Sequence, residues 1–427
     1  MVEAVVRRMK VFYVGGLGVL SVLLIVGCAT DRVAPAIPAM DEAVKEDAYA
    51  QLPALAETML LVYHHYPHAV GMTNIIAGAI DGLLNGLDPN SAFLTPDMLA
   101  ELDEESQGSF VGIGVTVEAE SDGLRVVAPI EGSPAFKAGI HAGDLIVSVN
   151  GQSVAGHSLA QCMQLLKGES GTTVLVTVIR SDGEPGALVL RREKINVPAV
   201  TSVRVMDQQV GYLRVAHFSD KLSGEFTAAL KKLEQQHVRG VIVDLRDNPG
   251  GLIDAAIAIS DQLLPQGQVI VTVRGRDAED AHVFKADGGH YNNSTLPVVC
   301  LVNGGSASAS EIFAGALQAH HRATLVGEQT YGKASVQSVM GLSLSKGCAI
   351  RLTTGFYYTP DNKLIHGVGL SPDVVVPMAQ SDWLKVQRQR MIEDQRGQPS
   401  QEGSKRDDLQ LKRALEIVLK QSEKKGA

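Results

Sequence analysis

An apolar run of strand type, LPVVCLV at 296–302, passes directly into NGGSASASEIFAGAL at 303–317, and few folds accommodate that succession. Gly304 and Gly305 break the run, and from Glu311 the apolar residues recur at helical spacing. The stretch predicts a strand, a tight turn and a helix, with Ser306, Ser308 and Ser310 on the turn. Free N–H groups and the positive end of a helix dipole meet at such a turn and stabilise a developing oxyanion. The plainer alternative is a capping box, in which Ser308 and Glu311 satisfy each other's backbone N–H groups. The G-x-S-x-G elbow of the α/β-hydrolases is absent.

A second loop bears on that choice. TYGKASVQ at 330–337 follows another apolar strand pattern, 323–326, and sets Lys333 beside Gly332, where backbone packs closely. A lysine in a tight apolar site loses pKa and can act as a base toward serine. Around these loops, strand patterns at 210–215, 238–245 and 269–273 alternate with helical ones at 223–235 and 252–264, which predicts an α/β sheet domain. The loop Asn248-Pro249-Gly250-Gly251 opens the helix at Leu252 and aims glycine N–H groups at a helix start.

With these strings assembled, the sequence resembles the carboxyl-terminal processing (tail-specific) serine peptidases. That family carries its nucleophile as the first serine of S-A-S-E and its base in T-[FYW]-G-K-G-x-V-Q, twenty-five positions later; here 333 − 308 = 25. The resemblance implies Ser308 as nucleophile, Lys333 as base and Gln337 as the residue orienting the lysine. It implies an oxyanion hole from Gly250 or Gly251 together with the N–H of Ala309. DLRDNPGG at 244–251, YTP at 358–360 and GVGLSPD at 367–373 match further family strings, and LDPNS at 87–91 matches L-D-P-H-S with asparagine for histidine. Arg246 and Asp247 read as a salt-bridged brace of their loop. Ala334 stands where the family usually has glycine; were that position at positive φ, alanine would be strained and Lys333 misplaced.

Residues 106–196 resemble a PDZ domain, with Phe110, Val111, Gly112, Ile113 and Gly114 as the carboxylate-binding loop, a core strand at 145–150 and a groove helix at 158–166. Exposed N–H groups there can hold a terminal carboxylate while an extended peptide adds along the neighbouring edge. Lys167 either supports that carboxylate or is a helix-end charge favoured by the dipole.

The start of the chain carries Arg7, Arg8 and Lys10 before an uncharged apolar stretch, 11–27, and reads as a signal peptide over 1–27. IVGC at 25–28 resembles a bacterial lipobox, making Cys28 the lipidation site; an uncleaved anchor is the alternative. Ala29 resembles the residue that follows the lipidated cysteine of outer-membrane lipoproteins, so the body is expected on the periplasmic side, held at the outer membrane where one exists. A tether, 28–40, leads to a helical region, 41–105, with apolar faces at Leu52, Leu55, Met59, Leu60, Tyr63 and at Ile75 to Leu84, and Thr73 as a cap. After the protease core, 197–379, the charged tail, 380–427, ends in an amphipathic stretch expected to pack on a helix or a second subunit.

The expected fold is α/β and multidomain: a crotonase-like Ser-Lys protease core with an inserted PDZ domain and flanking helical segments. A net charge of −9 argues against nucleic acid. No Cys/His spacing marks a metal site and no cofactor is implied; Cys162, Cys300 and Cys348 read as buried thiols, and His64, His65 and His68 as solvated. The expected function is an exported, membrane-tethered serine endopeptidase that captures substrate C-termini, with a homodimer and an adaptor protein as further partners implied by relatives. Two alternatives stay open: a catalytically impaired PDZ adaptor of the same fold, and a Ser-His-Asp hydrolase using His217, His320, His321 or His366.

Overall fold

The computed structural model describes residues 9–13, 22–26 and 42–426, apart from 131, 142, 158, 181–182, 184, 278–280, 290, 292–295, 343–346 and 397–407. Cys28 and the tether lie outside the described residues. Among the described residues no helix is long and apolar enough to cross a membrane.

The protease core is built on a six-stranded sheet in the order Val200–Met206, Val210–Val215, Gly240–Asp244, Val298–Val302, Thr324–Gly327 and Val374–Val375. Every pairing after the first is parallel. Parallel strands are covered on both faces, which explains the unbroken apolar runs VIVD and VVCLV. One face, carrying Leu213, Val243, Cys300 and Leu325, packs on the helices Leu222–Gln235, Ile253–Asp261 and Ala309–Ala319. Phe226 and Phe313 meet edge-on there, with ring centroids 6.0 Å apart.

The opposite face, carrying Tyr212, Ile242, Val299 and Leu301, is covered by Leu411, Ala414 and Val418 of the last helix, Leu409–Gly426. The amphipathic tail therefore packs on this chain's own sheet, where a second helix or subunit was expected. Gly240 permits the approach: a Cβ there would lie 2.4 Å from Val418 Cγ1.

A second sheet pairs Ser335–Gly341, the strand after Lys333, with Ala349–Tyr358, and continues to Val269–Arg274 and His282–Lys285. Its other members come from far upstream. Ala92–Leu94 pairs with residues 349–351, and Val22–Val26 runs parallel beside Gln337 and Ser338. The region expected to be wholly helical thus contains a strand, too short to show a period. Its helices are Glu42–His65, Met72–Asn85 and Pro96–Ser106. Met72–Asn85 takes Gly71 as its N-cap, so Thr73 lies inside the helix and is no cap. The first apolar face stays exposed: Leu52, Leu55, Leu60 and Tyr63 are about half accessible.

The inserted domain has five main strands in the order Pro185–Arg191, Thr173–Ile179, Leu145–Val149, Gly123–Pro129 and Val115–Glu120, with the helix Leu159–Leu166. Ile113, Val115, Cys162 and Leu166 share its apolar core. Ser109–Gly112 and Glu193–Asn196 pair antiparallel where the chain enters and leaves this domain.

Candidate active site

The turn between Val298–Val302 and Ala309–Ala319 places Ser308 at the helix N-cap, with φ 62° and ψ −117°. Holding an L-residue there costs on the order of 1–3 kcal/mol, so the surroundings must impose it. Three bonds do so: Ser306 Oγ donates to the Leu245 carbonyl at 2.8 Å, while Ser310 Oγ and the Ala307 N–H both donate to the Asn248 carbonyl, at 2.8 and 3.0 Å. The turn that carries Ser308 is thereby seated on the 244–251 loop.

Ser308 and Glu311 stand as in a capping box, and the glutamate half is a firm bond, from the Ser308 N–H to Glu311 Oε2 at 2.8 Å. The serine hydroxyl is fully buried and has no hydrogen-bond partner, and the Glu311 N–H donates to the Ser308 carbonyl at 2.9 Å. A cap would spend that hydroxyl. Here it is left unengaged.

Lys333 is brought to the same place by Gly332, whose φ of 87° and contact with the next loop exclude a side chain: a Cβ would sit 2.6 Å from the Gly369 nitrogen. The ammonium is 4% exposed and Nζ has no hydrogen-bond partner. Burial, then the charge of Arg351, bring its pKa down to about 7, against the opposing pull of Asp88 and Glu311. No hydrogen bond joins Ser308 Oγ to Lys333 Nζ in this closed arrangement. Gln337 is fully buried and its Nε2 donates to Thr353 Oγ1 at 3.1 Å. Ala334 is not among the residues at positive φ; its N–H donates to His366 Nδ1 at 3.3 Å, and its carbonyl accepts from the Tyr357 N–H at 2.9 Å. The strain feared for alanine does not arise.

Two contributors escaped the sequence reading. Glu311 is fully buried and its carboxylate collects donors from both loops: Ser308 N–H, Lys333 N–H and Tyr357 Oη on Oε2, and Gly332 N–H with Thr330 Oγ1 on Oε1. Burial raises its pKa and these donors pull it back. The second contributor is the 87–91 turn, to which the string match assigns no role. Asp88 accepts from the Asn90 and Ser91 N–H groups at 2.7 and 3.0 Å and from Ser91 Oγ at 2.8 Å, and its charge acts on Lys333, Arg351 and His366. Arg351 Nε ties the turn to the lysine's sheet by donating to the Asn90 carbonyl at 2.8 Å.

In the oxyanion loop, Gly250 has φ 110° and a Cβ there would fall 2.8 Å from Ser308 Cβ and 3.0 Å from the Ala309 nitrogen. The Gly250 N–H is already engaged, donating to Asn248 Oδ1 at 2.9 Å. Among the described residues the N–H groups of Gly251 and Ala309 meet no backbone acceptor. Arg246 is fully buried between Asp244 and Asp408, the brace expected of it.

Of the histidines, His366 borders this site and His320 is engaged elsewhere. His217 is buried and its pKa is down to about 4, by burial and then by Lys221. His320 Nε2 lies 2.7 Å from the Val269 carbonyl, and His366 Nδ1 is occupied by the Ala334 N–H. Among the described residues no three His, Cys, Asp or Glu side chains form a metal-binding group. Cys162 and Cys300 are buried free thiols, but Cys348, just before the strand Ala349–Tyr358, is only half-buried.

In the PDZ-like domain Phe110, Val111 and Gly112 pair with Ile195, Lys194 and Glu193, so their backbone belongs to the connecting ladder. Ile113 and Gly114 lead into Val115–Glu120, which is an edge strand. Gly114, at φ 74°, has no room for a side chain, since a Cβ would meet Ser133 Cβ at 2.3 Å. Lys167 Nζ is 3.4 Å from Glu101 Oε2 on the helix Pro96–Ser106, an exposed pair worth at most about 1 kcal/mol.

Residues 209–376 match the profile of peptidase family S41, and residues 125–180 that of a PDZ domain. Fold and sequence together define a serine peptidase carrying a PDZ domain. The chain is 37% identical over 374 residues to a carboxy-terminal-processing protease of Bartonella bacilliformis, covering 86% of this chain and 82% of that one. It is 36% identical over 301 residues to the carboxy-terminal processing protease CtpA of Bacillus subtilis, covering 70% of this chain and 63% of that one. The structure of a putative S41 protease from Bacteroides fragilis has the same fold, with a TM-score of 0.52 at 17% identity over 83% of this chain and 92% of that chain. The chain belongs to peptidase family S41, the carboxy-terminal processing serine peptidases.

Proposed function

We propose that this peptidase cleaves polypeptides near exposed C-termini with Ser308 as nucleophile and Lys333 as general base. The observation that carries the reading is that the hydroxyl and the amine are both buried and both without a partner, on loops tied to one carboxylate. Neutral Lys333 takes the proton of Ser308 as Oγ attacks the scissile carbonyl. The resulting oxyanion is received by the N–H groups of Ala309 and Gly251, and the lysine returns its proton to the departing amine. Water then attacks the acyl-enzyme with Lys333 again as base, and Ser308 is regenerated. Gln337 steadies the lysine's strand through Thr353. Because Ser308 is closed to solvent, covering chain must move aside before a substrate enters.

The free carboxylate of the substrate is proposed to sit at Ile113 and Gly114, with the peptide adding along Val115–Glu120. Cys28 is proposed as the lipidated residue of an exported, membrane-held protein. Substituting it by alanine should abolish metabolic lipid labelling, and equal labelling would remove the anchor. Homodimers and an adaptor remain proposals carried over from relatives.

The deciding experiment is cleavage of an unfolded reporter by purified wild type, Ser308→Ala, Lys333→Ala and Lys333→Arg, with circular dichroism to confirm folding. All three variants should be folded and inactive, arginine because it cannot release its proton. Activity that survives in Lys333→Ala but is lost on replacing a histidine would move the base to that histidine.

A further inference from the structure

The fully buried Arg246 occupies the loop that ends in Gly250 and Gly251, and half of its partners come from the far end of the chain. Asp244 takes Nε and Nη2 at 3.0 and 2.6 Å. Asp408 takes Nη1 and Nη2, both at 2.9 Å, with Gln410 Oε1 3.2 Å from Nη1. The helix Gln380–Arg396 holds the next residue as well. Gln387 Nε2 donates to Asp247 Oδ2 at 2.7 Å, and Arg390 Nη2 to the Arg246 carbonyl at 3.1 Å. Asp247, at φ 56°, is fixed from its other side by Asn303, which accepts its N–H at 2.9 Å and donates to Oδ1 at 2.8 Å.

The loop therefore lies between two clamps. The nucleophile turn grips Leu245, Asp247 and Asn248 from one side, and the C-terminal tail grips Arg246 and Asp247 from the other. The tail brings one cation and one anion to this cluster: the buried guanidinium groups of Arg246 and Arg390 face Asp244 and Asp408, with Asp247 Oδ2 3.9 Å from Arg390 Nη1. Without Asp408 a cation is left buried beside one shared carboxylate, which favours moving the loop that carries it.

We propose that Gln387 and Asp408 are positioning residues that act through Asp247 and Arg246 to hold the Gly251 N–H where the oxyanion forms. This deepens the Ser308 reading and rests on it. The base sits on a different loop, tied to Glu311, so a tail defect should slow the chemical step and leave the lysine's titration untouched.

The test measures kcat, KM and the pH dependence of peptide cleavage by full-length Asp408→Asn and Gln387→Ala, beside wild type and Ser308→Ala. Asp408→Asn is expected to lose at least about tenfold in kcat, since misplacing one oxyanion donor costs on the order of 10²–10³ at most, with KM and the pH midpoint unchanged. Gln387→Ala contacts only Asp247 and should lose severalfold in the same way. Should Asp408→Asn fail to fold, Gln387→Ala decides alone. Ser308→Ala inactive beside tail variants of wild-type kcat, or a loss confined to KM, would overturn the strut while sparing the nucleophile. Ser308→Ala that still cleaves would overturn both.

Discussion

The backbone N–H groups of Ser308 and Lys333 donate to the same oxygen, Glu311 Oε2, at 2.8 and 3.0 Å. One carboxylate thus fixes the relative position of the two turns that hold Ser308 and Lys333. It does so through backbone, leaving both side chains unengaged.

Glu311→Gln is the sharpest test of that arrangement. An amide would turn its NH2 toward backbone N–H groups that can only donate, leaving buried donors unpaired at a cost of roughly 1–3 kcal/mol each. The variant is expected to lose about 100-fold in kcat and several degrees in melting temperature, read by steady-state kinetics and calorimetry. Wild-type turnover in this variant would show that the shared oxygen does not set the geometry.

The pH dependence follows from Lys333. With its pKa near 7 in the fold, kcat/KM should rise with pH through about 7 and level off above it, because only the neutral amine accepts the proton of Ser308. In the unfolded chain lysine titrates near 10.4, so between these values the unfolded state binds the extra proton and this group's contribution to stability grows with pH. Lys333→Met should therefore melt higher than wild type below pH 7, with the difference shrinking toward pH 10. A gap independent of pH would mean that the buried amine is not depressed.

Gly251 has φ 150°, and a Cβ there would fall 2.1 Å from the Phe218 carbonyl oxygen. Gly251→Ala must displace the loop and should abolish cleavage. Gly250→Ala pushes instead on Ser308 Cβ, 2.8 Å away, and should also block labelling of the serine by a fluorophosphonate. Retained labelling and turnover in both would place the oxyanion donors elsewhere.

Capture of a terminal carboxylate predicts that amidating a peptide substrate's C-terminus slows cleavage, mainly through KM, by removing the charge held at Ile113 and Gly114. Gly114→Ala, which would drive a methyl into Ser133, should erase the difference between free and amidated peptides. Equal rates for both peptides with wild type would give the domain another task.

What the sequence disclosed was local. Ser308, Lys333 and the glycines at 250–251 are embedded in short strings whose chemistry is written within a few residues. Glu311 was half legible, because its spacing from Ser308 announced a cap while its bonds to Gly332 and Lys333, 21 and 22 residues on, announced nothing. The strand Ala92–Leu94 is too short for a period to appear, and its partner lies some 257 positions downstream, 350 − 93. Lys167 was read either toward the groove or as a helix-end charge, and its ion pair with Glu101 lies on a helix that only the tertiary fold sets beside it. The engaged N–H of Gly250 likewise depends on the direction of Asn248's side chain.

Arg246 meets Asp408 across 162 residues of sequence. During synthesis the nucleophile turn is therefore complete well before the carboxylate that closes the charge balance of its neighbouring loop. At the ordinary pace of about 5–20 residues per second that interval is on the order of five to twenty seconds. A chain that ends between Arg390 and Asp408 carries Ser308 and Lys333 together with two buried guanidinium groups that share Asp244. Under the proposed function, such a chain stays inert until its own tail has been made.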